Sequence, residues 1–415
     1  MRILILADGR SPIAQSWIRG RIEDGHEVHL VSSRAQEAAP LSGLASFRCL
    51  PLISRPRGPN GQGASAAVTQ RSAASLAASE FALHWLAPLW IAERAQRFVQ
   101  IIHELQPELT HALRLPLEGM VAARAMERGV RPGPLAISIW GNDFTLHAPA
   151  SPFMTLWTRR AMQRADALHV DCKRDLAAAR SWGFERGRAV LVAPGNGGVR
   201  SEVFHPATQP AGWPQRWGLP ADATVFVNPR GLRGYTRSDT FFKALPTVLR
   251  ELPTAGFLCV GMAGSPLAEG WVRRLNLADP VRLLPALSPG EMAEVFQGAL
   301  VSLSITTHDG TPNTLLEAMA CGCFPIAGDI ASLREWIRDS ENGYLIPPGD
   351  ATALASAMIS AARSPDLRMH AAQINARLVA GSGEARAVGR MINEFYGVAV
   401  GRGTTAAHGA SLSEV

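Results

Sequence analysis

Leu300-Val301-Ser302-Leu303-Ser304-Ile305 runs through Thr306-Thr307 into His308-Asp309-Gly310-Thr311-Pro312-Asn313-Thr314-Leu315-Leu316-Glu317-Ala318-Met319-Ala320-Cys321-Gly322. The apolar opening reads as a buried strand and the later residues as a short helix. Thr311 is placed as the N-cap and Pro312 at the first helical position, where the N–H it lacks would be unpaired anyway. Leu315, Leu316 and Met319 form one helix face; Asn313 and Glu317, one turn apart, lie on the other side. Asp309 then stands in the loop before a helix N-terminus, and Glu317 points out of the helix one turn in. The free N–H groups between them favour a phosphate. Two carboxylates beside an anion site fit a ligand carrying both hydroxyls and phosphate, a nucleotide or a nucleotide sugar. A capped helix with two solvated acids explains the pattern equally well.

Strand, turn and helix recur in the same order along the chain. Arg2 to Ala7 is an apolar run, Ser11 and Pro12 open a helix that Gly25 stops, and Glu27 to Ser32 is the next strand. This βαβ opening predicts a doubly wound parallel sheet. It is not a dinucleotide turn: one glycine stands where three are needed, and Ser32, Ser33 and Arg34 stand where an acid should end the second strand. Residues 35 to 75 are loop-rich, and helical periodicity returns from Ser72 to Leu105. Within it Phe81, Trp85, Leu86, Leu89 and Trp90 read as core packing, with contact to a membrane surface as the alternative. Strands are expected at Leu109 to Leu113, Leu135 to Trp140, Ala167 to Asp171 and Ala189 to Pro194. Helices are expected at Leu117 to Glu127, Met154 to Arg164 and Lys173 to Trp182.

Gly195-Asn196-Gly197-Gly198 breaks the chain, and the Pro- and Trp-rich stretch from Pro206 to Pro220 reads as a crossing between domains. A second α/β set follows, with strands at Thr224 to Asn228, Gly256 to Met262, Val281 to Leu284 and Phe324 to Ala327. Its helices are expected at Asp239 to Glu251, after the capping box at Ser288 to Glu291, at Ser332 to Asp339, and after Pro347-Pro348-Gly349-Asp350 to Arg363. The turn Pro229 to Arg237 holds Arg230, Arg233 and Arg237 at the end of a strand, where guanidinium forks suit a diphosphate. Trp140 and Asp143 end a strand of the first half, where open α/β sheets hold ligands; Asp143 reads equally as a capping residue. An amphipathic segment from Glu384 to Tyr396 precedes a Gly/Ala/Ser tail expected to be disordered.

At 415 residues the chain is too long for one compact domain. The net charge of +6 is almost all arginine, since Lys173 and Lys243 are the only lysines. That balance fits anionic lipid heads or phosphorylated substrates. With three tyrosines and no run of like charge, a nucleic-acid partner is not expected. Five scattered cysteines make no disulfide framework and point to a reducing compartment. Cys321 and Cys323 lack partners at zinc spacing and read as buried small residues. Met1-Arg2 leads straight into a strand, so no signal peptide is expected, and Phe81 to Ala92 is too short to span a bilayer.

Two Rossmann-like halves with a diphosphate-suited turn in the second resemble the GT-B architecture. The order Asp309, Glu317-Ala318-Met319-Ala320-Cys321-Gly322, Pro325, Glu335, Asn342-Gly343, Pro347-Pro348-Gly349-Asp350 looks like the signature of retaining glycosyltransferase family 4. Ser11-Pro12 through Gly25-His26-Glu27-Val28, and Asn196 through Val203-Phe204-His205-Pro206, also resemble that family. The resemblance implies an acceptor-binding domain over residues 1–205 and a nucleotide-sugar-binding domain over 206–380. Residues 381–400 would be a terminal helix packing back on the first domain, with a tail at 401–415. Asp309 would bind hydroxyls of the donor sugar and Glu317 those of the ribose. Gly310, Thr311 and the N–H groups of Asn313, Thr314 and Leu315 would meet the diphosphate. Arg230 matches the family's diphosphate arginine. Its lysine five residues on is Tyr235 here, so Arg233 or Arg237 takes that place, with Arg237 favoured. Asp309 stands where the family carries a longer Glu. Arg10, Ser11, Trp140 and Asp143 would line the acceptor side. A histidine contact to the donor is not expected, and His111 reads as packed. No Asp-x-Asp triplet occurs, so neither metal nor other cofactor is expected.

The resulting expectation is a metal-independent, retaining transferase in the cytoplasm or at the inner face of the membrane. It would move sugar from a nucleotide-sugar donor to a saccharide or lipid-linked acceptor for surface polysaccharide or glycolipid. A sugar-nucleotide epimerase and a non-catalytic nucleotide-sugar-binding protein are the alternatives on the same architecture.

Overall fold

A computed structural model describes residues 1–52, 82–129, 132–210 and 212–401. It divides into two compact units, Met1–Gly197 with the segment from Val388, and Gly198–Ala387.

The first unit runs β1 (Arg2–Ala7), α1 (Pro12–Glu23), β2 (Glu27–Ser32), β3 (Ser46–Cys49), α2 (Ile91–Leu105), β4 (Leu109–Ala112), α3 (Met120–Met126), β5 (Leu135–Ile139), α4 (Pro152–Arg164), β6 (Ala167–Val170), α5 (Lys173–Ser181) and β7 (Ala189–Val192). Among the described residues its strands form one parallel sheet in the order β3-β2-β1-β4-β5-β6-β7. Alternation along β1 sets the layers. Leu4 and Leu6 enter a core with α2, α3 and α4, while Ile3, Ile5 and Ala7 enter the opposite one with Trp17 and Ile18 of α1. Helix α1 starts where expected: the Ser11 hydroxyl accepts the Ala14 N–H and Pro12 follows.

The second unit contains α6 (Trp213–Arg216), β8 (Thr224–Asn228), α7 (Ser238–Glu251), β9 (Ala255–Val260), α8 (Pro266–Arg274), β10 (Val281–Leu284), α9 (Pro289–Gly298), β11 (Val301–Ser304), α10 (Asn313–Ala320), β12 (Phe324–Gly328), β13 (Tyr344–Ile346), α11 (Ala351–Arg363) and α12 (Pro365–Leu378). Its parallel sheet has the order β10-β9-β8-β11-β12-β13. Phe226, Val301 and Leu303 face the core of α7 and α11; Val225 and Val227 face that of α9 and α10. The last helix, α13 (Ala385–Ala399), buries Val388, Ile392, Phe395 and Tyr396 against Trp17 of the first unit.

Four expectations are corrected. Helix α10 starts at Asn313 with Pro312 as its cap residue, one position later than expected, because the Thr311 hydroxyl is engaged elsewhere. Ser332 to Asp339 forms only a single tight turn at Leu333–Glu335. The helix expected from Leu117 begins at Met120, after an irregular turn in which Leu117 has φ 70°. The apolar cluster before α2 is not core: Trp85, Leu86, Leu89 and Trp90 are exposed. Phe81, most of the loop from 35 to 75, the start of the helix at Ser72 and the tail beyond Gly401 lie outside the described residues. His111, Cys321 and Cys323 are buried as read, and among the described residues all five cysteines are free thiols.

Candidate functional site

In each sheet the chain winds outward both ways from its first strand, so the crossovers part beside that strand. Ligands of open α/β sheets sit at the carboxyl end of such a switch point. In the second unit this lies between β8 and β11, and both candidate segments emerge there.

The turn after β8 is sewn to the loop after β11. Thr236 pairs with Thr306 as an isolated bridge. The Arg237 N–H donates to Ile305 O at 2.9 Å and the Thr307 N–H to Tyr235 O at 3.0 Å. Gly231 fits closely: a Cβ there would lie 3.1 Å from Gly261 O, so the neighbouring backbone would have to give slightly. Gly328, ending β12, is required because a Cβ would meet Thr306 O at 2.6 Å.

This stitching brings Arg230 to Asp309, and its guanidinium donates to the Asp309 carboxylate. The guanidinium also lies 5.7 Å from the Tyr235 ring centre, and Arg233 donates to the Tyr235 hydroxyl at 2.9 Å. Burial opposes the Arg230 charge, but Asp309 and Tyr235 outweigh it and raise its pKa above the ordinary value. Arg237 lies apart from this pair. It forms a two-pronged bridge to Asp239, at 2.8 and 2.9 Å, and Lys243 joins the same carboxylate at 3.3 Å.

The loop after Asp309 is pinned from the segment following β12. Ser332 Oγ donates to Asp309 O at 2.7 Å, and Trp336 Nε1 donates to Thr311 Oγ1 at 3.0 Å. Gly310 donates its N–H to the Asp309 carboxylate at 3.2 Å. The first N–H to close within α10 is that of Leu315, 3.0 Å from Pro312 O. The N–H groups of Asn313 and Thr314 precede it, at the positive end of the helix. One turn in stands Glu317, partly buried; among the described residues its carboxyl has no hydrogen-bond partner. Burial pushes its pKa up to about 7, against the pull of nearby Arg200. Arg230, Asp309 and the entrance of α10 therefore converge, with Glu317 a turn away. Arg233 is one contact out through Tyr235, and Arg237 is turned to Asp239.

Two family models match the chain. One described as glycosyl transferases group 1 covers residues 224–364, and one described as a glycosyl transferase 4-like domain covers 9–195. Both units carry the expected family half. The chain belongs to the group 1 glycosyltransferases of family 4. Among curated relatives of this family, it is 27% identical over 208 residues to D-inositol 3-phosphate glycosyltransferase of Streptomyces avermitilis, covering 48% of this chain and 44% of that protein. It is 28% identical over 189 residues to that of Thermobispora bispora, covering 43% of each. The chain thus spans less than half the length of these relatives. Among solved structures it is similar to sucrose-phosphate synthase from Thermosynechococcus elongatus (TM-score 0.71, 18% identity, 95% of this chain and 98% of that one). It is also similar to Anabaena Alr3699/HepE in complex with UDP (TM-score 0.70, 17% identity, 95% and 99%). The fold is GT-B.

In the first unit of this family-4 chain, Arg10 and Ser11 sit after β1, at the switch point beside β4. Arg10 is exposed and forks onto Asp8 at 3.2 and 3.3 Å. Trp140 follows β5, and its backbone N–H is held by Asp143 at 3.0 Å. Asp143 itself has no exposed surface. It accepts from Arg114 Nε at 3.1 Å and the Leu115 N–H at 3.3 Å. Burial pushes its pKa up, with Arg114 opposing. It is placed to hold backbone and Arg114 rather than to meet a ligand.

Sequence reasoning missed Arg114, which Asp143 and His147 orient and which lies 5.8 Å from the Trp140 ring centre. Its place just after β4 was the available signal. It also missed Ser332 and Trp336, whose contacts come from the segment expected as a helix that forms only a single turn. Asp171, Cys172 and Asp175 cluster within metal-ligand distance. However, Arg174 donates to Asp175 at 2.8 and 2.9 Å and offsets the charge of that carboxylate.

Proposed function

We propose that this chain is a retaining glycosyltransferase that takes sugar from a nucleotide-sugar donor without a metal ion. The observation that carries the reading is the convergence of Arg230, Asp309 and the uncapped start of α10, with Glu317, which has no hydrogen-bond partner among the described residues, one turn in. A diphosphate fits between the Arg230 guanidinium and the N–H groups of Asn313 and Thr314. Glu317 accepts the two ribose hydroxyls. Asp309, the shorter of the family's sugar-side acids, takes hydroxyls of the sugar once the diphosphate draws Arg230 away. Departure of the nucleoside diphosphate is the charge-developing step, and fixed positive charge at that place lowers its barrier. The leaving phosphate oxygen helps take the acceptor proton, so the new bond forms on the face the nucleotide leaves.

The donor class draws support from the Anabaena neighbour in complex with UDP and with UDP-glucose. The acceptor is a saccharide or a lipid-linked molecule of a surface polysaccharide or glycolipid. The curated relatives are named for inositol 3-phosphate, so a phosphorylated polyol belongs in the acceptor panel. Incubation with UDP-, GDP-, ADP- and dTDP-sugars, with and without acceptors, tests the reading. Nucleoside diphosphate released with acceptor, and a product of unchanged anomeric configuration in the presence of chelator, is the expected result. A changed sugar on intact nucleotide would instead make the protein an epimerase, and binding without turnover would make it a sugar-nucleotide receptor.

A further inference from the structure

Six large apolar side chains of the first unit face solvent together: Trp85, Leu86, Leu89 and Trp90 ahead of α2, and Phe153 and Leu156 in the first turns of α4. Leu89 and Trp90 are 59% and 56% exposed, an unusual outlay of apolar surface on a folded chain. The two segments form one surface. Trp85 meets Phe153 edge-on at 6.4 Å, and Ser151 Oγ donates to His84 O at 2.6 Å. A groove of about 470 Å³ lies between Trp85 and Leu156, with Arg159 among its walls.

Both helices repeat one pattern. Trp90, Glu93 and Arg97 share a stripe of α2 and its approach, as Phe153, Leu156 and Arg160 share a stripe of α4. In each, apolar side chains stand at the N-terminal end and an arginine stands seven residues on, about 10 Å along the axis. Arg159 and Arg160 are exposed and lie over the rings of Trp182 and Trp157, at 5.9 and 5.1 Å. No acid occurs between Phe144 and Ala165. Glu93, the single acid from Ala82 to Arg97, is shared by Arg97 at 2.7 Å and Arg94 at 3.9 Å. The positive ends of both helix dipoles also point toward the apolar tip.

From this layout we infer that the surface formed by Trp85, Leu86, Leu89, Trp90, Phe153 and Leu156 docks the protein on an anionic lipid bilayer. The apolar tip enters the boundary between headgroups and acyl chains. Arg97, Arg159 and Arg160 stand about one headgroup layer behind it, where lipid phosphates lie. Aromatic side chains at the tip suit that boundary, being apolar in body and polar at one edge. The charge pattern selects this occupant: a second copy of the same surface would bring arginines against arginines, whereas anionic headgroups neutralise them. The inference is independent of the donor site, since no residue of the second unit enters it.

Flotation of the full chain with phosphatidylcholine vesicles, with and without phosphatidylglycerol, tests it. At low salt the anionic vesicles should bind at least about tenfold more tightly, and added salt should remove most of that preference. The double variant Leu89→Ser/Trp90→Ser should lose binding to both vesicle types. The variant Arg159→Gln/Arg160→Gln should lose the anionic preference. Met369→Ser, at an exposed position of the other unit, should bind as the parent does. All five side chains face solvent, so thermal melts should stay close to the parent's. Equal binding by the Leu89/Trp90 variant would overturn the inference. So would a concentration-dependent dimer that this variant abolishes, or hydrogen exchange at residues 84–90 that is slow in the free protein and unchanged by vesicles.

Discussion

At the scale of single residues, the site combines one neutralised charge and one unneutralised. Arg230 and Asp309 cancel each other, while Glu317 has no hydrogen-bond partner among the described residues, and burial pushes its pKa up to about 7 against the pull of Arg200. The raised value fixes the sign of its pH dependence. An unfolded glutamate titrates at its ordinary value of 4.5, so the stabilising effect of a protonated Glu317 is full below that pH and is lost as pH rises through 7. Melting of the second unit, which holds Glu317, should move to lower temperature between pH 5 and pH 8, and Glu317→Gln should flatten that decline and melt higher at pH 8. The same variant should bind nucleoside diphosphate about 10- to 100-fold more weakly, as expected for a lost hydrogen bond to a charged group. In the parent, that affinity should fall as pH drops below 7, because two ribose hydroxyls need an ionised carboxylate. Calorimetric titration of both proteins at pH 6 and pH 8 reads this directly; a Gln variant with the parent's pH dependence would remove Glu317 from the ribose. Arg230→Ala should lower turnover by about 100- to 1,000-fold, the usual effect of deleting one donor to a developing negative charge. Single-turnover rates at saturating donor separate that loss from weakened binding.

At the scale of elements, the start of α10 depends on a residue far from it in sequence. A threonine before Pro312 is an apt N-cap, yet Trp336 Nε1 holds the Thr311 hydroxyl at 3.0 Å and the cap falls to Pro312, which has no side-chain acceptor. Among the described residues, no cap side chain takes the N–H groups at the helix entrance. Trp336→Phe keeps most of the packing and removes that donor. The freed Thr311 should turn toward the helix, and nucleoside diphosphate affinity should fall about three- to tenfold with little change in melting temperature, since one capping contact is worth about 1 kcal/mol. The double variant Trp336→Phe/Thr311→Val should recover affinity, because valine cannot cap; failure to recover would place the effect in packing. This contact also shows what the sequence made legible. Strands Glu27–Ser32 and Thr224–Asn228 were read to the residue because each is mostly a buried run, and Val281–Leu284 was also read to the residue although only Val281 is fully buried. Helices α8 and α12 were missed because little of either is fully buried: Ala268 alone on the nine-residue α8, whose Trp271 and Val272 pack only in part, and Ala371 and Asn375 on α12. Strands β3 and β13 are edge strands of four and three residues, too short to show a period. The candidate residues Arg230, Asp309 and Glu317 lie on regular elements or motif turns, so their positions were legible in the sequence. Ser332, Trp336 and Arg114 lie on irregular segments, and only tertiary hydrogen bonds give them a role.

At the scale of the whole molecule, the chain leaves the second unit and ends in the first, and a buried polar chain fastens it there. Trp17 Nε1 donates to the Tyr396 hydroxyl at 3.1 Å, and that hydroxyl contacts His111 Nδ1 at 2.7 Å. His111 Nε2 meets Ser138 Oγ at 2.9 Å, Ser138 Oγ meets His169 Nδ1 at 2.8 Å, and His169 Nε2 reaches Ala193 O at 2.9 Å. The end groups fix the protons. The indole can only donate and the carbonyl can only accept, so each hydroxyl donates onward and both imidazoles are neutral with their proton on Nε2. A second proton on either ring would face a donor already in place. Burial lowers both pKa values: His169 goes from 6.5 to about 4, and His111 falls well below its ordinary value, with the His169 and Arg21 charges adding to the effect. The groups around the anchor do not reverse this. Arg21 is bound to Asn393 at 2.9 Å and to Asp24 at 2.9 Å, and His26 meets the same Asn393 oxygen at 2.9 Å. Depressed histidine values make the native state poorer in protons than the unfolded chain below pH 6.5. The stability that depends on them is full above that pH and is lost as pH falls toward the folded values. For His169 alone the loss by pH 4 is on the order of 3 kcal/mol. Denaturant melts from pH 7 to pH 4.5 should show the first unit weakening by about 1.4 kcal/mol per pH unit for each histidine. His169→Gln should reduce that slope by about one proton's worth whatever its effect on absolute stability. Tyr396→Phe should cost about 1–3 kcal/mol at pH 7, since it leaves the Trp17 indole and His111 Nδ1 without their buried partner. It should also raise hydrogen exchange in α13 ahead of the rest of the first unit. A Tyr396→Phe protein with parental exchange in α13 would show that apolar packing of Val388, Ile392 and Phe395, not the polar chain, holds the terminus in place.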